Sequence, residues 1–137
     1  MTRISQAIQK IKREDRVSVE ESRSLYEAAM TLLEKRCIEM PVVDRHGRVV
    51  GMIGEQDLLK AMKGPLRLEE MTVKQVMAPS PSVIEEGTTL SEASRLMQSM
   101  TGYRIPVVKK GILSGTLTRH DILRLLLGVG FDVLDPV

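Results

Sequence analysis

At 137 residues, with 42% apolar and 28% charged residues, the chain has room for one ordinary domain or two very small ones and reads as globular. A net charge of +2, two Tyr, one Phe and no Trp leave little to grip a nucleic-acid backbone or stack its bases, and the single Cys37 excludes an internal disulfide. No apolar run approaches a membrane span, and the opening MTRISQAIQKIKRED lacks the apolar stretch of a signal peptide, so a cytoplasmic protein is expected.

Residues 1–16 are expected as an N-terminal helical segment, with the mixed charges of QKIKREDR forming a solvated face. Val17-Ser18-Val19 is a short β-prone piece. Ser24 and Glu27, three apart, form a capping box at the start of a helix that carries Leu25, Ala28 and Leu32 on one face. Met40-Pro41-Val42-Val43 reads as a buried strand. DRHG turns the chain into a second strand that ends near Gly54, and an apolar helix follows through Asp57 and Leu58. Gly64 and Pro65 break the pattern. Thr72 and Gln75 cap a short helix, and Pro79 and Pro81 force an extended stretch beyond it.

The same order then returns. Ser82-Val83-Ile84 is β-prone, and Thr89 with Glu92 forms a second capping box for a helix bearing Leu90, Ala93, Met97 and Met100. Ile105-Pro106-Val107-Val108 is a strand, KKG a turn and ILSGTL another strand; RHDILRLLL closes the unit as a helix. Pro41, Val42 and Val43 lie 65 residues before Pro106, Val107 and Val108. Gly47, Gly51 and Asp57 lie 64 before Gly111, Gly115 and Asp121, so one residue is missing from the second turn. The chain is therefore two β-α-β-β-α repeats, an α+β architecture. Units of about 45 residues bury too little surface to stand alone without staples. The two are expected to pack through their sheets about a pseudo-twofold axis as one module, divided as 1–16, 17–68 and 69–137, with the linker helix in the last part.

This arrangement resembles the tandem CBS-domain pair, or Bateman module. The resemblance rests on the two h-PVV strands (Met40 to Val43, Ile105 to Val108), on the Gly-x-h-x-x-x-Asp segments (Gly51 to Asp57, Gly115 to Asp121) and on the linker VKQVMAPSPSVIEEGTTLSEA. It implies a regulatory binding module and not an enzyme. Such a module holds an adenosine-containing ligand (AMP, ADP, ATP, NAD or S-adenosylmethionine) in a cleft between the repeats and signals to a protein partner or through self-association. The chain reads as a stand-alone module.

On that resemblance Thr118 and Asp121 serve the nucleotide, Asp121 accepting hydrogen bonds from the ribose hydroxyls. A helix N-terminus attracts phosphate on physical grounds alone. Arg119 would add a fixed charge and His120 a further donor. The same Thr-x-x-Asp is equally a plain helix cap. Ser82, Val83 and Ile84, with Tyr103, Arg104, Ile105 and Pro106, would complete the pocket. Tyr103 can stack on a base or simply pack, and Arg104 can meet phosphate or form a surface ion pair.

In the first repeat Gly54 replaces Thr118 and Glu55 replaces Arg119, while Asp57 is kept. Val17, Ser18 and Val19, with Ile38, Glu39, Met40 and Pro41, would line this second site. It is expected to be weak or vacant for anionic nucleotides, because carboxylates stand where phosphate would lie. His46, His120 and Cys37 lack metal-ligand spacing, so no metal is expected. Lys10, Lys12 or Arg13 could fold back on a phosphate. The apolar helix faces at Met62, Leu125, Leu126 and Leu127 point to a homodimer. The competing reading is a dimerisation or adaptor module that binds no small molecule.

Overall fold

A computed structural model describes residues 3–8, 17–79 and 81–128. After a short helix α1 (Ile4–Ile8), the first repeat runs β1 (Val19–Glu20), α2 (Leu25–Lys35), β2 (Glu39–Val43), β3 (Val49–Gly54) and α3 (Glu55–Ala61). A single 3-10 turn (Leu68–Glu70), α4 (Val73–Val76) and β4 (Ala78–Pro79) form the linker. The second repeat runs β5 (Ile84–Glu85), α5 (Leu90–Ser99), β6 (Arg104–Lys109), β7 (Ile112–Thr118) and α6 (Arg119–Leu127). The β-α-β-β-α order expected from the periodicity is present twice. The chain divides into two compact units.

One unit holds Val17–Pro81 with the hairpin tip Gly111–Leu113. Its sheet has the order β1-β2-β3-β4. β1 runs parallel to β2, with Val19 opposite Val42; β2 and β3 are antiparallel, with Glu39 opposite Gly54; β4 pairs antiparallel with β3. α2 starts at Ser24, whose Oγ accepts from the Glu27 N–H at 3.1 Å while Glu27 Oε1 accepts from the Ser24 N–H at 3.4 Å, so this capping box closes in both directions. The apolar stripe Leu25, Ala28 and Leu32 meets Val19, Met40, Val42, Ile53 and Leu58 in the core. Fully burying each such side chain stabilises the unit by roughly 1.5–3 kcal/mol.

The linker belongs to this same core. Val73 is fully buried in it, the Leu25 N–H donates to the Met71 carbonyl at 2.9 Å, and the Val73 N–H donates to the Arg23 carbonyl at 2.8 Å. Sequence order puts the linker helix with the second repeat; the hydrogen bonds of Met71, Val73 and Lys74 run to the first. The reason is that Thr72 forms an isolated bridge with Ser24 and so places α4 against the start of α2.

The other unit gathers α1, Ser82–Lys110 and the described residues from Ser114 onward. β5 runs parallel to β6, with Ile84 opposite Val107, and the sheet order is β5-β6-β7. Its core is Ile84, Ala93, Met97, Ile105, Val107, Leu117 and Ile122, completed by the fully buried Ile4. The Ile4 N–H donates to the Thr88 carbonyl at 2.8 Å, which fixes the start of α1 here. QKIKREDR, with Lys10, Lys12 and Arg13, lies outside the described residues.

The second capping box closes in one direction only. Thr89 Oγ1 accepts from the Glu92 N–H at 3.2 Å, but the Glu92 carboxylate turns outward to Arg95, which lowers its pKa. Thr89 itself is taken up by an isolated bridge with Arg3. The residue lost from the second hairpin turn also has a structural consequence. The longer first turn is held by Asp44, whose Oδ1 accepts from the N–H groups of His46 (2.8 Å) and Arg48 (3.0 Å). The shorter one places both Lys110 (φ 53) and Gly111 (φ 81) in the left-handed region, the backbone that matches strand twist in a two-residue hairpin.

Candidate functional site

Thr118 ends β7 and begins α6. Its backbone is extended, its side chain 5% exposed, and its Oγ1 accepts from the Asp121 N–H at 3.1 Å. Asp121 Oδ2 in turn accepts from the Thr118 N–H at 2.8 Å. Both groups are thereby oriented at a helix N-terminus, where the dipole favours negative charge. An ionised carboxylate has about four acceptor positions, and the bond to Thr118 uses one. Capping and ligand binding are therefore compatible at Asp121.

Arg119, expected to add a fixed charge for phosphate, is engaged with backbone carbonyls. Its Nε and Nη2 donate to the Met97 carbonyl at 3.1 and 2.8 Å, Nη1 donates to the Gly102 carbonyl at 2.7 Å, and Nη2 also donates to the Met100 carbonyl. The guanidinium covers the C-terminal end of α5. His120 is half-buried next to it.

The other expected residues separate into those whose side chains face solvent and those committed to the core. Ser82 and Val83 are exposed, whereas Ile84 is 1% exposed and packs in the core, so it offers backbone only. Ile105 and Pro106 are likewise buried. Continuing the β5–β6 register sets Ser82 and Val83 abreast of Ile105 and Pro106. Tyr103 is 51% exposed. Arg104 Nη1 donates to Thr116 Oγ1 at 2.8 Å, tying the start of β6 to β7. The segments before β5, before β6 and after β7 are thus joined through β6, with the cap of α6 next to them.

The first repeat keeps half of this arrangement. Asp57 Oδ2 accepts from the Gly54 N–H at 2.8 Å, the same bond as in the second repeat, but there is no hydroxyl to answer it. Nor is there space for one. A Cβ on Gly54 would lie 2.9 Å from the Ile38 carbonyl oxygen and 3.2 Å from the Glu39 Cβ. The Glu55 N–H donates to that same Ile38 carbonyl at 2.9 Å, which holds the backbone close. Val17, Val19, Met40 and Pro41 are buried; Ser18 and Ile38 are exposed, and Glu39 is half-buried.

Among the described residues no group of three or more His, Cys, Asp and Glu is placed to hold a metal ion, and no helix is long and apolar enough to cross a membrane. Two roles were not anticipated from sequence: the capping of α5 by Arg119 and the filling of the second core by Ile4. No local signal marked the first, since α2 also lacks Gly or Asn at its exit (Arg36, Cys37) and yet closes on itself.

The family model for the CBS domain matches residues 4–64 and 73–128. A CBS domain-containing protein of Dictyostelium discoideum is 37% identical over 109 residues, covering 72% of this chain and 72% of that protein. The solved structure of CBSX2 in complex with AMP has a TM-score of 0.76 and 30% identity, covering 93% of this chain and 98% of that one. The chain spans 58% of the full CBSX2 of Arabidopsis thaliana, a chloroplastic protein. The CBS domain pair of another protein, solved with 5′-methylthioadenosine and S-adenosyl-L-methionine, has a TM-score of 0.72 and 25% identity over 93% of this chain.

Proposed function

The chain belongs to the CBS-domain family, and from that premise we propose that it is a non-catalytic regulatory module with one competent site for an adenosine-containing ligand, built around Thr118 and Asp121. The candidates are AMP, ADP, ATP, NAD and S-adenosylmethionine. The observation that carries the proposal is the reciprocal Thr118–Asp121 cap. It holds a carboxylate with unused acceptor positions at a helix N-terminus, suited to a ribose diol with phosphate beside it. The structures of relatives holding AMP and S-adenosyl-L-methionine support the ligand class. In this reading Ser82, Val83 and Tyr103 supply side chains to the pocket, and Ile84, Ile105 and Pro106 supply backbone.

The first repeat is a scaffold copy. Its Asp57 caps α3, and the close approach of Ile38 to Gly54 leaves no space for a hydroxyl-bearing side chain. Ligand occupancy reaches a protein partner because the ligand binds one conformation of the module better than another. In one unit Leu123, Leu126 and Leu127 of α6, and in the other Leu59 and Met62, are exposed apolar side chains, each set of the kind that a homodimer interface covers. A reducing compartment such as the cytoplasm suits a chain whose single cysteine cannot form an internal disulfide.

The test is calorimetric titration with AMP, ATP, NAD, S-adenosylmethionine and adenosine. One saturable site per chain is expected with at least one of them, together with a ligand-dependent rise in melting temperature. Absence of any heat or shift at millimolar ligand would favour the second reading, an adaptor module. That reading draws on the same observation, since the Thr118–Asp121 cap is complete without a ligand.

A further inference from the structure

We infer that Arg119 is a positioning residue that ties the Thr118–Asp121 cap to the end of α5 and the segment entering β6, and that it is not the partner of a ligand phosphate. A helix end leaves its last carbonyls without intrahelical partners. The two repeats meet this need in different ways. In the first, α2 closes on itself: Arg36 turns into the left-handed region (φ 52) and its own N–H reaches the Leu32 and Leu33 carbonyls, while the Cys37 N–H bonds the Leu32 carbonyl at 3.0 Å. In the second, Met100 leaves α5 in an extended conformation (φ -80, ψ 145), which cannot make that local closure.

A side chain from another element does the work instead. The planar fork of Arg119 covers the Met97 and Met100 carbonyls and reaches on to Gly102. A cation at the C-terminal end of a helix is also favoured by the helix dipole. The residue at the matching place in the first repeat, whose helix needs no such help, is Glu55. The two repeats thus differ together at both ends of the interaction.

The position of Arg119 gives the clamp its functional meaning. It follows Thr118 directly, and its far contact, Gly102, immediately precedes Tyr103. One side chain therefore ties the Thr118–Asp121 cap to the segment that enters β6. Swinging the guanidinium toward a phosphate would strip the α5 carbonyls of charge-assisted partners. Arg119 sets how Tyr103 to Pro106 stand relative to the cap, which affects the nucleoside half of a ligand and not its phosphates.

The test pairs two measurements on Arg119→Gln and Arg119→Lys. The first is amide hydrogen exchange of residues 100–105 without ligand. Protection should fall by about tenfold or more in Arg119→Gln and by less in Arg119→Lys, which keeps a donor but not the fork. Unchanged exchange in both variants would overturn the clamp. The second is affinity for adenosine, AMP and ATP, and this half rests on the nucleotide reading above. A positioning role predicts the same fold-loss for all three ligands, with Arg119→Lys also weakened. A loss that grows with phosphate number, and that Arg119→Lys restores, would make Arg119 a phosphate ligand. If no nucleoside binds the unaltered chain, the nucleotide reading fails by itself, and the exchange measurement still decides the clamp.

Discussion

Replacing Asp121 and Asp57 separately by Ala distinguishes a cap from a cap that also holds a ligand. Each carboxylate accepts one bond of 2.8 Å from the N–H of its own N-cap residue, Thr118 or Gly54. Losing that bond costs about 1 kcal/mol of folding free energy at either site, the usual value for a helix cap. The two variants should therefore lose similar stability in urea unfolding monitored by circular dichroism. Their affinities should diverge. Two hydrogen bonds from ribose hydroxyls to a charged carboxylate contribute about 1.5 kcal/mol each at the low end, about 3 kcal/mol together, or roughly 150-fold in Kd. Asp121→Ala should weaken AMP by that order in calorimetry, and Asp57→Ala should leave it within about twofold. Asp121→Asn is a useful companion, since its amide oxygen can still accept from Thr118 while the second ribose acceptor is lost. Equal affinity losses in the two Ala variants, or undiminished affinity in Asp121→Ala, would refute the assignment of the site to the second repeat.

Other substitutions probe the framework around the site. Gly54→Thr restores the missing hydroxyl on paper, but its Cβ meets the Ile38 carbonyl at 2.9 Å; urea unfolding should show a loss of about 1–3 kcal/mol, and ligand stoichiometry should stay at one per chain. Ile4→Ala empties a fully buried place in the second core and should cost about 2–4 kcal/mol by the same assay; a neutral result would remove the N-terminal segment from that core. The Asp44 carboxyl, which accepts backbone N–H bonds from Arg48 and His46, should titrate below its ordinary 3.8 in a carbon-detected NMR titration. Because the folded value is the lower one, its contribution to stability is present above about pH 4 and is lost as pH falls through the folded midpoint. A midpoint at or above 3.8 would contradict the turn geometry.

What was legible in the sequence was whatever is decided within a few residues or by strict repetition. The Thr118–Asp121 and Ser24–Glu27 caps were readable because donor and acceptor are three residues apart on one turn of helix. The β-α-β-β-α order followed from apolar periods that recur 65 and then 64 residues later. Tertiary structure decided which distant group meets each local need. Glu92 has the spacing of a capping box, yet its carboxylate goes to Arg95. The extended exit of α5 at Met100 leaves carbonyls within reach of Arg119, a contact that the sequence does not show. Ile4 joined the core of the second repeat and the linker helix α4 that of the first, since bridges from Arg3 to Thr89 and from Thr72 to Ser24 set their places. At Gly54 the sequence shows a missing hydroxyl, but only the 2.9 Å approach of the Ile38 carbonyl explains why no side chain stands there. Local hydrogen bonds are encoded in spacing; long-range ones depend on strand register and helix ends, which no single stretch of the chain contains.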